Sequence, residues 1–142
     1  MLSHNWTFEV TTLDKAIKYI DYKKLSLLRG SEMCNIIEGS ECYLFPSLYN
    51  INVMIAYFKG SPVGWAWVFN KPNRDGSLVR YISFMIYTKP KYRRRGAGRK
   101  LMEWGKRIAR QRHRRLIVYP WDARSKRFYN SNKIKEENQR KL

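Results

Sequence analysis

Apolar positions along this chain recur in two different periods, and the change of period marks out its elements. Ile51 to Phe58 and Val63 to Phe69 are runs of β-branched, aromatic and other apolar residues, joined by Lys59-Gly60-Ser61-Pro62, which has turn chemistry. The two runs predict a β-hairpin. A second loop from Asn70 to Gly76 leads to Leu78–Thr88, rich in Val, Ile, Tyr and Phe, and three strands in succession predict one antiparallel sheet. Ahead of them, Thr7-Phe8-Glu9-Val10 predicts a short strand. Leu13, Ala16, Ile17 and Ile20 then share one helical face behind a Thr-Thr-Leu-Asp cap, which predicts a helix over 12–28. A short helix is expected over 33–37, and a loop from Glu41 to Asn50, with Pro46 inside it.

After Pro90 the period lengthens. Leu101, Trp104 or Gly105, Ile108 and the stem of Arg112 line one side of a predicted helix, while Arg99, Lys100, Lys106, Arg107, Arg110 and Arg114 fall mostly on the other. The apolar side is expected to lie on the sheet, with Met102 and Trp104 packing there. Leu116 to Tyr119 predicts a compact strand ended by Pro120, and Ala123 to Tyr129 a short last helix. From about residue 131 the chain is polar and is expected to fray, with Ile134 as its only apolar anchor. Trp65 and Trp67 share one face of their strand, either in the core or as the floor of a cleft.

At 142 residues the chain is long enough for one domain, and 44% hydrophobic residues argue against disorder. No apolar run is long enough for a membrane-spanning helix, and Met1 to Trp6 do not resemble a leader, so the expected compartment is the cytosol. Cys34 and Cys42, with only His4 and His113 as companions, make no zinc pattern, and no metal is expected. Charge is more informative. Residues 1–88 hold 9 basic and 7 acidic side chains, whereas residues 89–142 hold 20 and 4. Such a field attracts a polyanion.

Tyr92-Arg93-Arg94-Arg95-Gly96-Ala97-Gly98-Arg99-Lys100-Leu101 lies between a predicted strand and a predicted helix. A glycine turn there can aim backbone N–H groups, reinforced by the helix dipole, at a phosphate. It is neither a P-loop, lacking Gly-Lys-Ser/Thr, nor the dinucleotide fingerprint, because Leu101 stands at the third glycine place. The run from Ile86 to Gly98 resembles instead the signature of the GCN5-related N-acetyltransferase family, with Arg93, Gly96 and Gly98 at the matching positions. The order of elements over residues 7 to about 130 is similar as well. The resemblance implies a single α/β domain: a mixed central sheet with an antiparallel meander, followed by a helix, a parallel strand and a short helix, with C-terminal strands short or missing.

The same resemblance implies acetyl-coenzyme A as cofactor, its pyrophosphate held by Arg93, Arg94, Arg95, Gly96, Ala97, Gly98 and Arg99, with Arg124 or Lys126 adding charge. Its pantetheine arm would run beside Ile86 and Thr88, between diverging strands. Tyr129 falls where the family often places the acid that protonates the departing thiolate, and equally where a helix packs. Many relatives carry an acidic residue on or near the long central strand, but none occurs here from Gly76 to Met102. Asp75 and Asp122 are the nearest candidates for a base, or are loop formers, and Ser83, Tyr81 and Tyr119 can orient a water. Thirteen basic residues lie between Lys89 and Arg115, against the single acid Glu103. Four or five satisfy a cofactor; the surplus, Arg107, Arg110, Arg112, Arg114 and Arg115, suits DNA or RNA, with Tyr92 and Trp121 as stacking partners, or is a solvated face. Other readings are a non-catalytic nucleic-acid binder with this fold and a protein acetyltransferase for an acidic target. A missing terminal strand would leave a sheet edge for a second subunit to cover, making a homodimer.

Overall fold

The computed structural model describes residues 2–11, 52–69, 81–120 and 122–140. The expected helices over 12–28 and 33–37, both cysteines, Asp75 and Trp121 lie outside them. Five strands form one sheet in sequence order: β1 (Trp6–Thr11), β2 (Asn52–Phe58), β3 (Ser61–Phe69), β4 (Tyr81–Thr88) and β5 (Arg115–Val118). The first three pairings are antiparallel and β4 with β5 is parallel. Helix α1 (Ala97–Gln111) makes the crossover between those two, and α2 (Ala123–Ser131) follows β5. This is the mixed sheet that the sequence predicts.

Local chemistry explains the meander. Lys59 and Gly60 both take positive φ, 50° and 83°, and close a two-residue turn whose twist matches the flanking strands. β3 begins earlier than its apolar run, at Ser61, because Pro62 is admitted opposite Tyr57 where the register shifts between Ala56 and Tyr57.

Alternation along β4 sends Ile82 and Phe84 into a core shared with Leu101, Met102 and Trp104 of α1, while Ser83 and Met85 face away from that helix. Gly105 has a packing role: a Cβ there would lie 2.4 Å from Cε2 of the fully buried Phe84. The helix therefore approaches the sheet more closely than a side chain would permit. Trp65 and Trp67 are both buried on the other face, their ring centroids 4.9 Å apart, and neither indole N–H has a hydrogen-bond partner among the described residues.

The tail corrects the expectation of fraying. Ile134 is buried, a 3-10 turn forms over Glu136–Asn138, Gln139 bridges to Val118 in parallel, and the Arg140 N–H bonds the Val118 carbonyl at 2.9 Å. Arg115 holds the turn from outside, donating from Nε and Nη2 to Asn138 Oδ1 at 3.0 and 2.6 Å. The edge of β5 is thus paired at Val118 by the chain's own tail.

Candidate active site

β4 and β5 stay paired only from Tyr81–Arg115 to Phe84–Val118, yet β4 runs on to Thr88. Beyond Phe84 the two strands part. The Lys89 N–H bonds the Val63 carbonyl toward β3 at 2.8 Å, so by alternation Ile86 and Thr88 turn their backbone groups to the opposite edge, into the split. Arg93 already uses part of that edge: its Nε donates to the Thr88 carbonyl at 2.8 Å, and its guanidinium lies 5.6 Å from the Tyr87 ring centroid. The Thr88 carbonyl is therefore engaged, whereas Ile86 keeps both groups turned to the gap.

The split opens onto the N-terminus of α1. Gly96 caps this helix with φ 94° and ψ −10°, a conformation that strains any side-chain-bearing residue. No side chain caps it, and the first turn holds no acid. Tyr92 and Arg93 bond back to Lys89 and Pro90, but among the described residues nothing accepts from the amides of Arg94 through Arg99. Arg99 and Lys100 stand in the first turn, where a cation opposes the helix dipole by up to ~1 kcal/mol each. A dianion seated there would turn that repulsion into attraction.

A groove of about 1030 Å³ joins these features, lined by Ile86, Thr88, Arg93, Arg94, Gly96, Gly98 and Arg99 among the residues expected there, and by Arg124 from α2. Arg95, Ala97 and Lys126 do not line it. Arg95 turns its guanidinium to Phe58 and Tyr92, Ala97 is buried, and Lys126 pairs with Glu136. Gly98 serves a second purpose, because a Cβ on it would stand 3.0 Å from Cε1 of Phe128 on α2. Leu2 lies beside Gly96, at 3.4 Å from where its Cβ would be, and edges the groove without filling it.

The three residues expected to do chemistry are not brought together. Tyr129 lines the groove, and burial pushes its phenol well above the usual tyrosine range, so it is firmly protonated at neutral pH. Asp122 is the N-cap of α2: its carboxylate accepts from the Ser125 N–H at 2.7 Å in a capping box, and Arg124 lies 3.7 Å away. It does not line the groove. Ser83 is buried on the sheet face away from α1, its hydroxyl 3.1 Å from that of Tyr119. The groove residues that sequence reasoning passed over include Glu103, Arg127 and Phe128. Of these, Phe128 alone left a signal, an aromatic next to Tyr129 with a glycine, Gly98, to receive it. Among the described residues no group of three or more His, Cys, Asp or Glu is placed to hold a metal, and no helix is long and apolar enough to cross a membrane.

A parted parallel strand pair, opening onto an uncapped glycine-started helix, is an arrangement in which an extended, phosphate-bearing ligand can meet free backbone groups. The particular family follows from comparison: the model of the Acetyltransferase (GNAT) family matches residues 28–132, and the chain belongs to it. No curated protein matches the chain by sequence. Solved structures share the fold at low identity. A structure of yncA from Salmonella typhimurium with its cofactor acetyl-CoA is 17% identical, covers 93% of this chain and 80% of that one, and has a TM-score of 0.67. A predicted acetyltransferase from Clostridium acetobutylicum, solved with acetyl-CoA, is 12% identical over 92% and 90% with a TM-score of 0.66. A ribosomal-protein-alanine N-acetyltransferase from Brucella melitensis biovar Abortus 2308 is 16% identical over 90% of each chain with a TM-score of 0.61.

Proposed function

We propose that this member of the acetyltransferase family transfers an acetyl group from acetyl-coenzyme A directly to an amine carried or presented by a nucleic acid. The observation that carries the first half is the run of amides from Arg94 to Arg99 that have no acceptor among the described residues, at an uncapped helix N-terminus with cations in its first turn. Those amides, with Arg94, Arg99 and Arg124, would hold the two linked phosphates. Ile86 would offer its backbone N–H and C=O to the pantetheine amides in the manner of a neighbouring strand. Acetyl-coenzyme A supplies an activated thioester carbonyl, whose developing oxyanion needs a donor and whose thiolate needs a proton.

Tyr129 is the proton source we assign to that end of the groove, since its phenol stays neutral until late in the alkaline range. The acid missing from β4 is not replaced by Asp122, which is engaged as a cap; the carboxylate that lines the groove is Glu103 on α1. The acceptor nitrogen would then arrive largely unprotonated, or lose its proton to water or to that carboxylate. The nucleic-acid half rests on the cations left over. Arg107 and Arg110 on α1, and Arg114 after it, have no ion pair among the described residues, while Arg115 leaves that set because it is tied to Asn138. Calorimetric titration with acetyl-coenzyme A tests the first half, and no heat of binding at about 1 mM ligand overturns it. Affinity for DNA or RNA as a function of salt tests the second; a flat dependence overturns it.

A further inference from the structure

Four aromatic rings form a contiguous array at the β1 edge of the sheet. Trp6 stacks on Phe8 at 6.4 Å between centroids, tilts against Phe58 at 5.2 Å and meets Tyr92 edge-on at 6.3 Å, and Phe58 lies 5.4 Å from Tyr92. Trp6 is the buried floor, whereas Phe8, Phe58 and Tyr92 are only partly buried. Val10, two residues on from Phe8 and on the same side of the edge strand, is 57% exposed. Each open ring carries a cation. Lys59 lies 5.6 Å from the Phe58 centroid, Lys91 5.7 Å from Tyr92, Lys100 5.1 Å from Phe8, and Arg95 5.8 and 5.7 Å from Phe58 and Tyr92. None of the four cations has an acidic partner among the described residues.

We infer that Phe8, Phe58 and Tyr92, with Lys59, Lys91, Arg95 and Lys100, form a stacking platform for a single-stranded nucleic acid, adjoining the loop assigned to the cofactor. Partly buried rings interleaved with cations that lack an acidic partner among the described residues match a strand that alternates bases and phosphates. An exposed cation–π contact is worth ~0.5–1 kcal/mol, whereas a base stacked on an aromatic side chain contributes ~1–3 kcal/mol, so a base can displace the cation sideways onto its own phosphate. Duplex DNA buries its base faces and offers the rings nothing. The platform adjoins the groove through Tyr92 and Lys100, which line both. The inference deepens the acceptor reading of the previous section and rests on it, while naming a surface that does not include Arg107, Arg110 or Arg114.

The test is fluorescence anisotropy with a labelled thymidine oligonucleotide of about 15 nucleotides, a duplex of the same length, heparin and phosphatidylserine vesicles, on the full chain without acetyl-coenzyme A. The single strand is expected to bind most tightly, with a log–log salt slope near −3 if four phosphates are met. Phe8→Leu keeps an apolar side chain against the core and is expected to weaken single-strand binding about 5- to 100-fold, leaving heparin binding unchanged. Lys59→Gln with Lys91→Gln is expected to make the slope shallower by about 1.4. All three positions lie outside the groove, so acetyl-coenzyme A affinity and the melting temperature check that the fold is intact. Equal binding of single strand and duplex, or full retention of single-strand affinity in Phe8→Leu, overturns the platform. If these variants are silent but Arg107→Gln with Arg110→Gln abolishes binding, the platform falls and the nucleic-acid acceptor stands; if no nucleic acid binds, or only vesicles do, both fall.

Discussion

Gly105→Ala opposes two effects of known size at the contact between α1 and the long strand. On propensity alone the change stabilises a helix interior by ~1 kcal/mol. The new Cβ, however, would lie 2.4 Å from Cε2 and 2.6 Å from Cδ2 of Phe84. That is about 1 Å or more inside the 3.5–4.0 Å optimum for carbon atoms. The ring has nowhere to retreat, since Phe84 is fully buried and is paired with both Val68 and Val118 at the last register position before the strands part. Overpacking of this kind costs ~1–3 kcal/mol or more, and we place the net loss at about 1–2 kcal/mol. At this chain length that lowers the melting temperature by roughly 3–6 °C. The measurement is a thermal melt followed by circular dichroism, with the Phe84→Leu and double variants closing a cycle. Removing the ring is expected to make Gly105→Ala less harmful than it is alone. A single variant as stable as the parent, or more so, refutes the reading of Gly105 as a close-approach residue.

Gly96→Glu places an anion, at a φ of 94°, beside the amides that await phosphate, and is expected to weaken acetyl-coenzyme A binding at least 100-fold by calorimetry; unchanged affinity removes the loop from the site. Tyr129→Phe keeps the packing and is expected to lower turnover ~10²-fold with little change in cofactor affinity, and an unchanged rate takes the phenol out of the chemistry. Because burial raises the Tyr129 pKa, the native chain keeps this proton to higher pH than the unfolded chain, so the associated stability is full below about pH 10 and is lost as pH climbs beyond it. Melts from about pH 8 to 11 should show the parent falling more steeply than Tyr129→Phe, and parallel curves would contradict this. Arg115→Gln cuts the hold on Asn138 and is expected to speed amide exchange over residues 136–140 with a stability change within about 1 kcal/mol; exchange identical to the parent shows that the bridge at Val118 suffices.

What could be read without coordinates was whatever depends on neighbours along the chain. Runs of β-branched and aromatic residues around Lys59-Gly60 mark a hairpin, because turn geometry and alternation are local. The spacing of Leu101, Trp104 and Ile108 marks the helix, and Gly96 and Gly98 after a strand mark its start, because the free amides of a helix start are a backbone property that follows from position. Charge asymmetry is equally plain in a list of residues.

Tertiary structure decided which of these residues meet, a matter of partners distant in sequence. Asp122 looked like a base and is a cap, since its carboxylate finds Ser125 before it finds the groove. Arg115 looked like a free cation and is tied to Asn138, 23 positions on. Gly98 looked like room for phosphate alone and also receives Phe128. The ring array is legible only once β1 pairs with β2 and the turn at Pro90–Tyr92 folds against them, because Phe8, Phe58 and Tyr92 are scattered along the chain. Local rules assign conformation, whereas side-chain roles depend on which groups burial and pairing leave without partners.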